Sequence, residues 1–575
     1  MRVARWIALG LLAATALGTP MPKPAFAQAA PAGGWAGFRD GFIEEWFRLD
    51  PSNAVYQGRH DFDGQLPDWS EAGLARQAVY LKATLARARA FPVAGMNAQD
   101  RFERDYLIKV VEGKLFWLTD ADQPHLNPAY YVGGGLDPNV YIARTYAPPA
   151  VRMKAVIAMF RNVPAAASNI RANLKTPMPV SFIDYGVAGF GGFADFYGTD
   201  AKKAFASVKD PALNAQFDQA AASASAAMRS LADWLKTQKP SATPQGYALS
   251  AERFSRMLAA TEDVSIPLDR LEAVGRADLK RNQDALAAAC ASFAPGATIA
   301  ACTQKMGEHK MAGGPVAAAR TMVPRLRAFV VSHDIVSIPG TEAALVEESP
   351  PYNRQNAAYI DPPGPFDKGV PSVYYISPPD PAWDKATQDA FVPGYGTLLF
   401  TTVHEVMPGH FVQFLHANRS PSTFGRLFVG YAYAEGWAHY SEQMMYDAGL
   451  DDHSAETHVG QLSEALLRDC RFLSAIGLHA RGMTTDQSRR LFVEQCYQDE
   501  GTARQQAARG TYDPAYLSYT MGKLMILKLR EDWTATRGGR TGWKAFHDTF
   551  LGFGGPPIPL VRQAMMGEPG ARAVF

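Results

Sequence analysis

The chain has 575 residues, of which 47% are hydrophobic and 20% are charged, and its formal net charge is +1 at pH 7. This composition is typical of a globular protein with one large or two ordinary domains, and it excludes fibrous and disordered chains. A charge so close to zero also argues against nucleic-acid binding, which usually needs a basic face.

The first 27 residues have the pattern of a cleavable signal peptide. Two arginines precede an apolar run from Trp6 to Gly18, and the small-x-small sequence AFA follows, so we expect cleavage after Ala27. No other stretch approaches the roughly 20 apolar residues that span a bilayer. We therefore expect a periplasmic or secreted protein with no membrane span after cleavage. A lipid anchor is less favoured, because no cysteine lies near the cleavage site.

Most of the mature chain has the periodicity of helices, with apolar residues recurring three and four positions apart. The sequence therefore predicts a mainly α fold, and it shows no internal repeat. The segments with the clearest helical pattern are 37–51, 74–92, 101–118, 214–237 and 251–290.

Strand patterns are sparse and predict one small β element near 328–378. The best segments are AFVVSHDIVSI at 328–338 and SVYYISP at 372–378. Two glycine clusters, at 132–138 and 185–193, do not match phosphate-binding motifs. We expect both to form turns between helices or loops on a cleft wall.

Four cysteines lie in the mature part of the chain, and an even count in an exported protein permits disulfides. Their spacings favour a pairing of Cys290 with Cys302 and of Cys470 with Cys496. Other connectivities and free buried thiols remain open alternatives at this point.

Seven of the twelve histidines lie between residues 404 and 479, which directs attention to the segment HEVMPGH. In the zinc-binding HExxH pattern, two histidines four positions apart project from one helix face. His404 and His410 are six positions apart, so on an undisturbed helix they would point in different directions. Because proline and glycine interrupt helices, we infer that Pro408 and Gly409 break the helix and bring His410 back beside His404.

A zinc site needs a third protein ligand, and the segment 429–445 offers one. Glu435, His439 and Glu442 recur there at helical spacing and share one face. We select Glu435 as the ligand, with His439 and Glu442 as neighbours of the ligands or as substitutes. The alternative, a solvated polar stripe, is disfavoured by the aromatic residues that flank the segment.

The chain resembles the bacterial family called domain of unknown function 885, whose pattern is HExxPGH followed by EGWAxYxE. These segments read HEVMPGH at 404–410 and EGWAHYSE at 435–442. The resemblance extends over most of the mature chain and includes RGTYDPAYLSYTMGKL at 509–524.

That family in turn resembles zinc peptidases of the thimet oligopeptidase type, in which a glutamate ligand follows the second histidine by about 25 residues. The resemblance implies a helical shell of two lobes, at about 37–325 and 326–575, around a deep cleft. It also implies that Tyr516 and Tyr519 steady the reaction intermediate and that the segment SVYYISP is an edge strand for an extended peptide. The histidine-containing, glycine-rich loop of the oligopeptidases has no clear counterpart, and Ala475 stands where many members of the family have aspartate.

The expected function is hydrolysis of peptide bonds in short peptides by a zinc-activated water. His404, His410 and Glu435 would bind Zn²⁺, and Glu405 would act as the general base. Tyr519, helped by Tyr516, would donate to the oxyanion. The weaker candidates for anchoring a peptide carboxylate are His479 and Arg509.

The same residues are compatible with two other functions. The protein could be a non-catalytic periplasmic peptide-binding protein with structural zinc, although a structural site needs four protein ligands and no base. Alternatively, it could hydrolyse an amide that is not a peptide. The sequence leaves open the exact substrate, the native metal and the oligomeric state.

Overall fold

A computed structural model describes residues 34–350, 354, 357–567 and 574–575. The predicted signal peptide and its cleavage site lie outside these residues. The described chain is mainly helical with one small sheet, as the sequence predicts. None of its helices combines the length and the apolar character needed to cross a bilayer.

The first half of the described chain forms fourteen α-helices. They are α1 (Gly34–Leu49), α2 (Pro51–Tyr56), α3 (Glu71–Ala90), α4 (Ala98–Leu115), α5 (Gln123–Leu126), α6 (Ala129–Val132), α7 (Asn139–Ala143), α8 (Pro149–Asn173), α9 (Val180–Gly198), α10 (Pro211–Gln238), α11 (Ala251–Glu262), α12 (Leu268–Phe293), α13 (Ile299–Glu308) and α14 (Gly314–Ser332).

Three strands follow, and eleven further helices complete the described chain. The strands are β1 (Leu345–Glu348), β2 (Ala358–Asp361) and β3 (Val373–Ile376). The helices are α15 (Lys385–Phe391), α16 (Tyr395–Glu405), α17 (His410–Ala417), α18 (Thr423–Leu427), α19 (Tyr431–Asp447), α20 (Ala455–Ala480), α21 (Thr485–Cys496), α22 (Glu500–Tyr512), α23 (Ser518–Thr534), α24 (Trp543–Gly552) and α25 (Ile558–Met566).

The sheet has the order β1-β3-β2, with β3 parallel to β1 and antiparallel to β2. The predicted strand at 372–378 is confirmed as β3, but the expectation that it is an edge strand is wrong, because β1 and β2 pair with its two sides. The strand predicted at 328–338 is also wrong. Its first part belongs to α14, and its second part is held by side chains of α24: His547 donates to the carbonyl of Ile335, and the N–H of Ser337 donates to Asp548.

The buried apolar side chains form two clusters. One draws mainly on residues 35–247, and the other mainly on residues 249–574. Both predicted disulfides are confirmed within the second cluster: Cys290 is bonded to Cys302 and Cys470 to Cys496. α11 to α14 therefore pack together with the helices that carry the histidine-rich motif.

The second glycine cluster, at 185–193, lies inside α9, so the predicted loop is wrong there. A Cβ on Gly186 would lie 2.6 Å from the side chain of Leu235 on α10, and one on Gly189 would lie 2.8 Å from Val132. These glycines serve close packing of helices. The first cluster, at 132–138, forms the predicted turn between α6 and α7.

Side chains of the N-terminal region fix the position of the loop that follows β2. Arg144, which is buried, donates 2.8 Å hydrogen bonds to the Asp361 carboxylate and to the carbonyl of Pro362. It also lies 3.2 Å from Asp367, whose other carboxylate oxygen is 3.1 Å from the ring of His60. These contacts fix the position of β2, which faces the histidine motif.

Candidate metal centre

The chain between the two motif histidines leaves the helix and then returns to it. α16 ends one residue after His404, and α17 begins at His410. The interruption contains Pro408 and Gly409, and a Cβ on Gly409 would lie 1.8 Å from the carbonyl oxygen of His404. Trp437 of α19 secures the loop by donating its indole N–H to the carbonyl of Pro408 at 2.9 Å. The predicted break is confirmed, and the close return requires glycine.

The side chains of His404, His410 and Glu435 converge, with ligand atoms that lie within 4.8 Å of one another. Glu435 Oε2 is 3.3 Å from Nε2 of His404 and 3.4 Å from Nε2 of His410. The two imidazole rings are nearly perpendicular, at 89°. Although these atoms are close, Glu435 Oε2 is buried and has no hydrogen bond of good geometry. Three ligand atoms arranged in this way suit a shared cation.

The charges around this group also favour a cation. Burial by itself would lower the pKa of His404, but the nearby carboxylates of Glu435 and Glu442 raise it to about 10. Although burial opposes ionisation of Glu435, His410 and His404 hold the pKa of its carboxyl well below the usual value. Two histidines and a glutamate are a donor set of catalytic zinc sites, which keep a fourth position open. The residues present therefore fit a zinc ion.

A close helix crossing holds Glu435 in place. α19 and α23 approach each other at Gly436 and Gly522, where a Cβ on Gly436 would lie 2.5 Å from the Cα of Gly522. A Cβ on Gly522 would in turn lie 2.0 Å from the carbonyl oxygen of Ala432. The crossing brings Tyr519 of α23 close enough for the charge of Glu435 to raise its pKa, after the larger effect of burial.

Glu442 is fully buried next to His404 and orients that ring. The Nδ1–H of His404 donates to Glu442 Oε1 at 2.7 Å, and the Nδ1–H of His439 donates to Oε2 at 3.0 Å. Arg468 lies 3.4 Å from Oε1. This carboxylate fixes the tautomer in which His404 presents Nε2 to the group. Glu442 and His439 therefore neighbour the candidate ligands and do not replace them; burial lowers the pKa of His439 to about 4.

Glu405 lies at the end of α16 and faces β2. Its Oε2 accepts a hydrogen bond from the backbone N–H of Ile360 at 3.1 Å. Burial raises the pKa of Glu405, and the charges of His404 and His410 act in the opposite direction. A carboxylate with a raised pKa beside a candidate metal site has the properties of a general base.

Tyr519 lies beside the group, with its ring centre 6.3 Å from that of His404. Three guanidinium groups surround the tyrosine ring. Their central carbons are 4.8 Å from the ring centre for Arg471 and 5.9 Å for Arg468 and Arg509. The position beside the candidate ligands suits donation of the hydroxyl hydrogen to a developing oxyanion.

Tyr516 and His479 do not take the places expected for them. The hydroxyl of Tyr516 donates to Ser474 at 2.6 Å, and the side chain is fully buried, so its expected role beside Tyr519 is wrong. His479 donates through Nε2 to the carbonyl of Gly510 at 2.7 Å. Burial lowers the pKa of His479 to about 4, so the neutral ring cannot anchor a carboxylate through charge.

Arg509 remains near the group and connects it to Tyr431. It donates to the Tyr431 hydroxyl at 2.8 Å and to Asp513 at 3.0 Å. The ring of Tyr431 packs edge-on against Tyr519 at 5.8 Å. Tyr431 is thus the tyrosine that lies next to Tyr519, the position that we expected Tyr516 to take.

Sequence reasoning also missed Ile360, Arg468 and Arg471. Nothing in the sequence around Ile360 indicates that it belongs to the site, because only the position of β2 in the sheet brings its N–H to Glu405. The two arginines did carry a signal, since they lie three positions apart in α20, where most residues are apolar and buried. Charged residues in such a helix need a partner, so these two arginines indicate a buried polar site.

A cavity of about 700 Å³ adjoins residues that contact the group, but none of the three candidate ligands lines it. Its wall includes Tyr431, the segment 362–365 that follows β2, and Phe414, whose ring centre is 6.4 Å from that of His410. A cavity of this size is typical of sites for small ligands.

Comparison with known proteins gives a family and a fold. A family model described as "Bacterial protein of unknown function (DUF885)" matches residues 51–565. None of the curated proteins compared with the chain matches it.

Two solved structures are similar over almost the whole chain. One is described as a "putative lipoprotein of unknown function" from Shewanella oneidensis; it is 25% identical, with a TM-score of 0.76, and the match covers 93% of this chain and 100% of that one. The other, a "putative lipoprotein" from Colwellia psychrerythraea, is 16% identical with a TM-score of 0.78, covering 92% and 98%. The second likeness concerns the fold alone.

Proposed function

Since the chain belongs to the DUF885 family of bacterial proteins, whose function is unknown, we propose a function from the site itself: zinc-dependent hydrolysis of peptide bonds in short peptides. The observation that carries the proposal is the convergence of His404, His410 and Glu435 beside Glu405. A structural zinc site has no need of the adjacent base, and it would call for a fourth protein ligand.

The zinc ion would be held by the Nε2 atoms of both histidines and by the carboxylate of Glu435. When bound, it would supply a Lewis acid that lowers the pKa of a water molecule towards 7. The protein contributes the fixed orientation of the ligands. Glu442 holds His404, and the crossing at Gly436 holds Glu435.

Glu405 would take a proton from the attacking water on its carboxylate and pass it to the leaving amine. Its raised pKa brings the carboxyl closer to the range in which it can both accept and release a proton near neutral pH. The Ile360 N–H holds Oε2, so Oε1 is the oxygen available for the proton.

Tyr519 would donate its hydroxyl hydrogen to the oxyanion that develops on the scissile carbonyl. Loss of one such donor commonly costs about 100-fold to 1,000-fold in rate.

The shape around the site supports a short, extended substrate. β2 is an outer strand whose Ile360 N–H points towards Glu405, so its free edge can pair with a peptide backbone. The adjoining cavity of about 700 Å³ has room for side chains of a short peptide and is too small for a folded protein.

The proposed location is the bacterial cell envelope, in the periplasm or beyond. The sequence pattern of a signal peptide cleaved after Ala27 and the description of the Shewanella oneidensis structure as a lipoprotein support it. Cell fractionation followed by N-terminal sequencing of the mature protein tests this location.

A defined peptide library provides the test of activity. The zinc-loaded protein is incubated with the library, and mass spectrometry records new fragments, with the Glu405→Gln protein as control. We expect fragments only from the wild-type protein. Stoichiometric zinc with unchanged peptides would favour a peptide-binding protein, and turnover of a simple amide but no peptide would favour an amidase.

A further inference from the structure

Arg471 is a buried charge that has no counter-ion among the described residues. It lies on α20 and is 8% exposed. Its Nε–H donates to the neutral side-chain amide of Gln506 at 2.8 Å. No carboxylate of the described chain lies within ion-pair distance of it, and its two terminal nitrogens have no hydrogen bond to the described residues. Neither terminal nitrogen is fully buried, so solvent reaches both of them.

The other two arginines around Tyr519 are neutralised. Arg468 pairs with Glu464 and lies 3.4 Å from Glu442. Arg509 pairs with Asp513 at 3.0 Å. Arg471 alone of the three therefore carries uncompensated charge beside the site. Its burial and the nearby Arg509 lower the pKa of its guanidinium.

Arg471 cannot avoid the cost of an unpaired buried charge by losing its proton, because guanidinium stays protonated in proteins. Buried charges in folded proteins are normally paired or hydrogen-bonded. A buried guanidinium with free terminal nitrogens matches a carboxylate, which it can bind through two parallel hydrogen bonds. The missing anion is therefore expected to arrive with the ligand.

We propose that Arg471 binds the terminal carboxylate of the peptide substrate, so that the enzyme removes residues from the carboxyl end. This inference rests on the proposed peptidase function and names its substrate class. It replaces His479 as the anchoring residue and leaves Arg509 a supporting charge.

The distances limit how many residues are released. The ring of Tyr519 is 6.3 Å from that of His404 and 4.8 Å from the guanidinium carbon of Arg471. An extended residue spans about 3.3 to 3.6 Å, so the two distances together equal the length of about three residues at most. The expected products are single residues, dipeptides or tripeptides from the carboxyl end.

The test compares one peptide in two forms, with a free terminal carboxylate and with a terminal amide. We expect the wild-type protein to cleave the acid about 100-fold more efficiently than the amide, as is typical for loss of one partner of a buried charge pair. Arg471→Met should raise KM for the acid by a similar factor and leave cleavage of the amide within about twofold, while Arg471→Lys should give an intermediate KM.

The controls separate this inference from the proposed function. Arg504→Met changes an exposed arginine of α22 and should alter neither reaction; zinc content and thermal unfolding verify that each variant is folded. If the wild-type protein cleaves acid and amide equally well, the carboxylate anchor is wrong and the peptidase function stands. A fall in kcat for both forms in Arg471→Met would assign the arginine to the oxyanion instead, which also overturns the anchor. No cleavage of either form, or of the library, overturns the peptidase function itself.

Discussion

Two groups of buried charged side chains lie within residues 249–574, and they differ in whether side chains of the protein balance their charges. In the first, Lys523 lies 2.7 Å from Asp278, and Asn282 donates to Asp469 at 2.7 Å. Burial and the nearby Asp278 hold the pKa of Asp469 well above its usual value. Arg281 also pairs with Asp278, so the charges of this network are balanced by other side chains of the protein.

The second group, around His404 and Glu435, has the opposite character. Glu435 Oε2 faces two ring nitrogens without a hydrogen bond, and Arg471 nearby has no counter-ion among the described residues. Buried polar groups left in this state are costly unless a ligand completes them. Burial of charge alone therefore does not distinguish a candidate site from a structural network, and the convergence of three possible ligand atoms is the feature that separates the two groups.

Removal of the metal gives the largest expected effect and separates the two groups directly. Dialysis against a chelator should lower peptidase activity by at least about 1,000-fold, because the water and the scissile carbonyl lose their Lewis acid. Circular dichroism should change little, since the helices pack without the ion. Activity that persists in metal-free protein would contradict the assignment; readdition of zinc serves as the control.

Lys523→Met should break the balanced network and cost stability. Loss of Lys523 leaves the buried Asp278 with only the half-exposed Arg281 as an ion-pair partner, which costs about 3 to 5 kcal/mol. Urea unfolding of the zinc-free protein measures the free energy of unfolding. His410→Ala is the matched comparison, and it should destabilise the zinc-free protein far less. Equal losses in the two variants would erase the distinction between the groups.

Glu442→Gln should weaken zinc binding about 10-fold to 100-fold, as expected for a residue that orients a metal ligand. Competition with a chromophoric chelator measures the zinc affinity. Glu464→Gln is the control, because Glu464 also pairs with Arg468 but does not contact His404. If both variants bind zinc as tightly as the wild type, Glu442 does not orient the ligand.

His60 represents a third ionic group, partly exposed, with a smaller expected effect. Although burial lowers the pKa of His60, Asp367 and Asp63 raise it to about 9. A folded-state pKa above the unfolded value of about 6.5 stabilises the protein below pH 6.5, and this stabilisation is lost as pH rises through 9. We expect a loss of about 1 to 2 kcal/mol between pH 6.5 and 9, since partial exposure screens the interaction. His60→Gln should flatten this pH dependence; an unchanged slope would contradict it.

Local sequence was sufficient to predict the helical class, both disulfides and the break between His404 and His410. Periodicity depends on neighbours in the chain, and the Pro408-Gly409 pair acts within one helical turn. The expectation that Glu435 joins the histidines also followed from residues that share a helix face.

Contacts between distant segments could not be predicted in the same way. Tyr516 has the expected spacing from Tyr519, but its hydroxyl reaches Ser474 on another helix. The 328–338 segment has strand-like composition, yet its first part continues α14 and its second part is held by side chains of α24. Strand order depends on partners far along the chain, which composition does not encode.

The measurement that tests the central claim most directly is zinc content together with peptide cleavage in three proteins: the wild type, Glu405→Gln and His410→Ala. We expect about one zinc per wild-type chain with cleavage, the same zinc content without cleavage for Glu405→Gln, and loss of both for His410→Ala. Zinc bound to His410→Ala as tightly as to the wild type, or cleavage by Glu405→Gln at the wild-type rate, would contradict it.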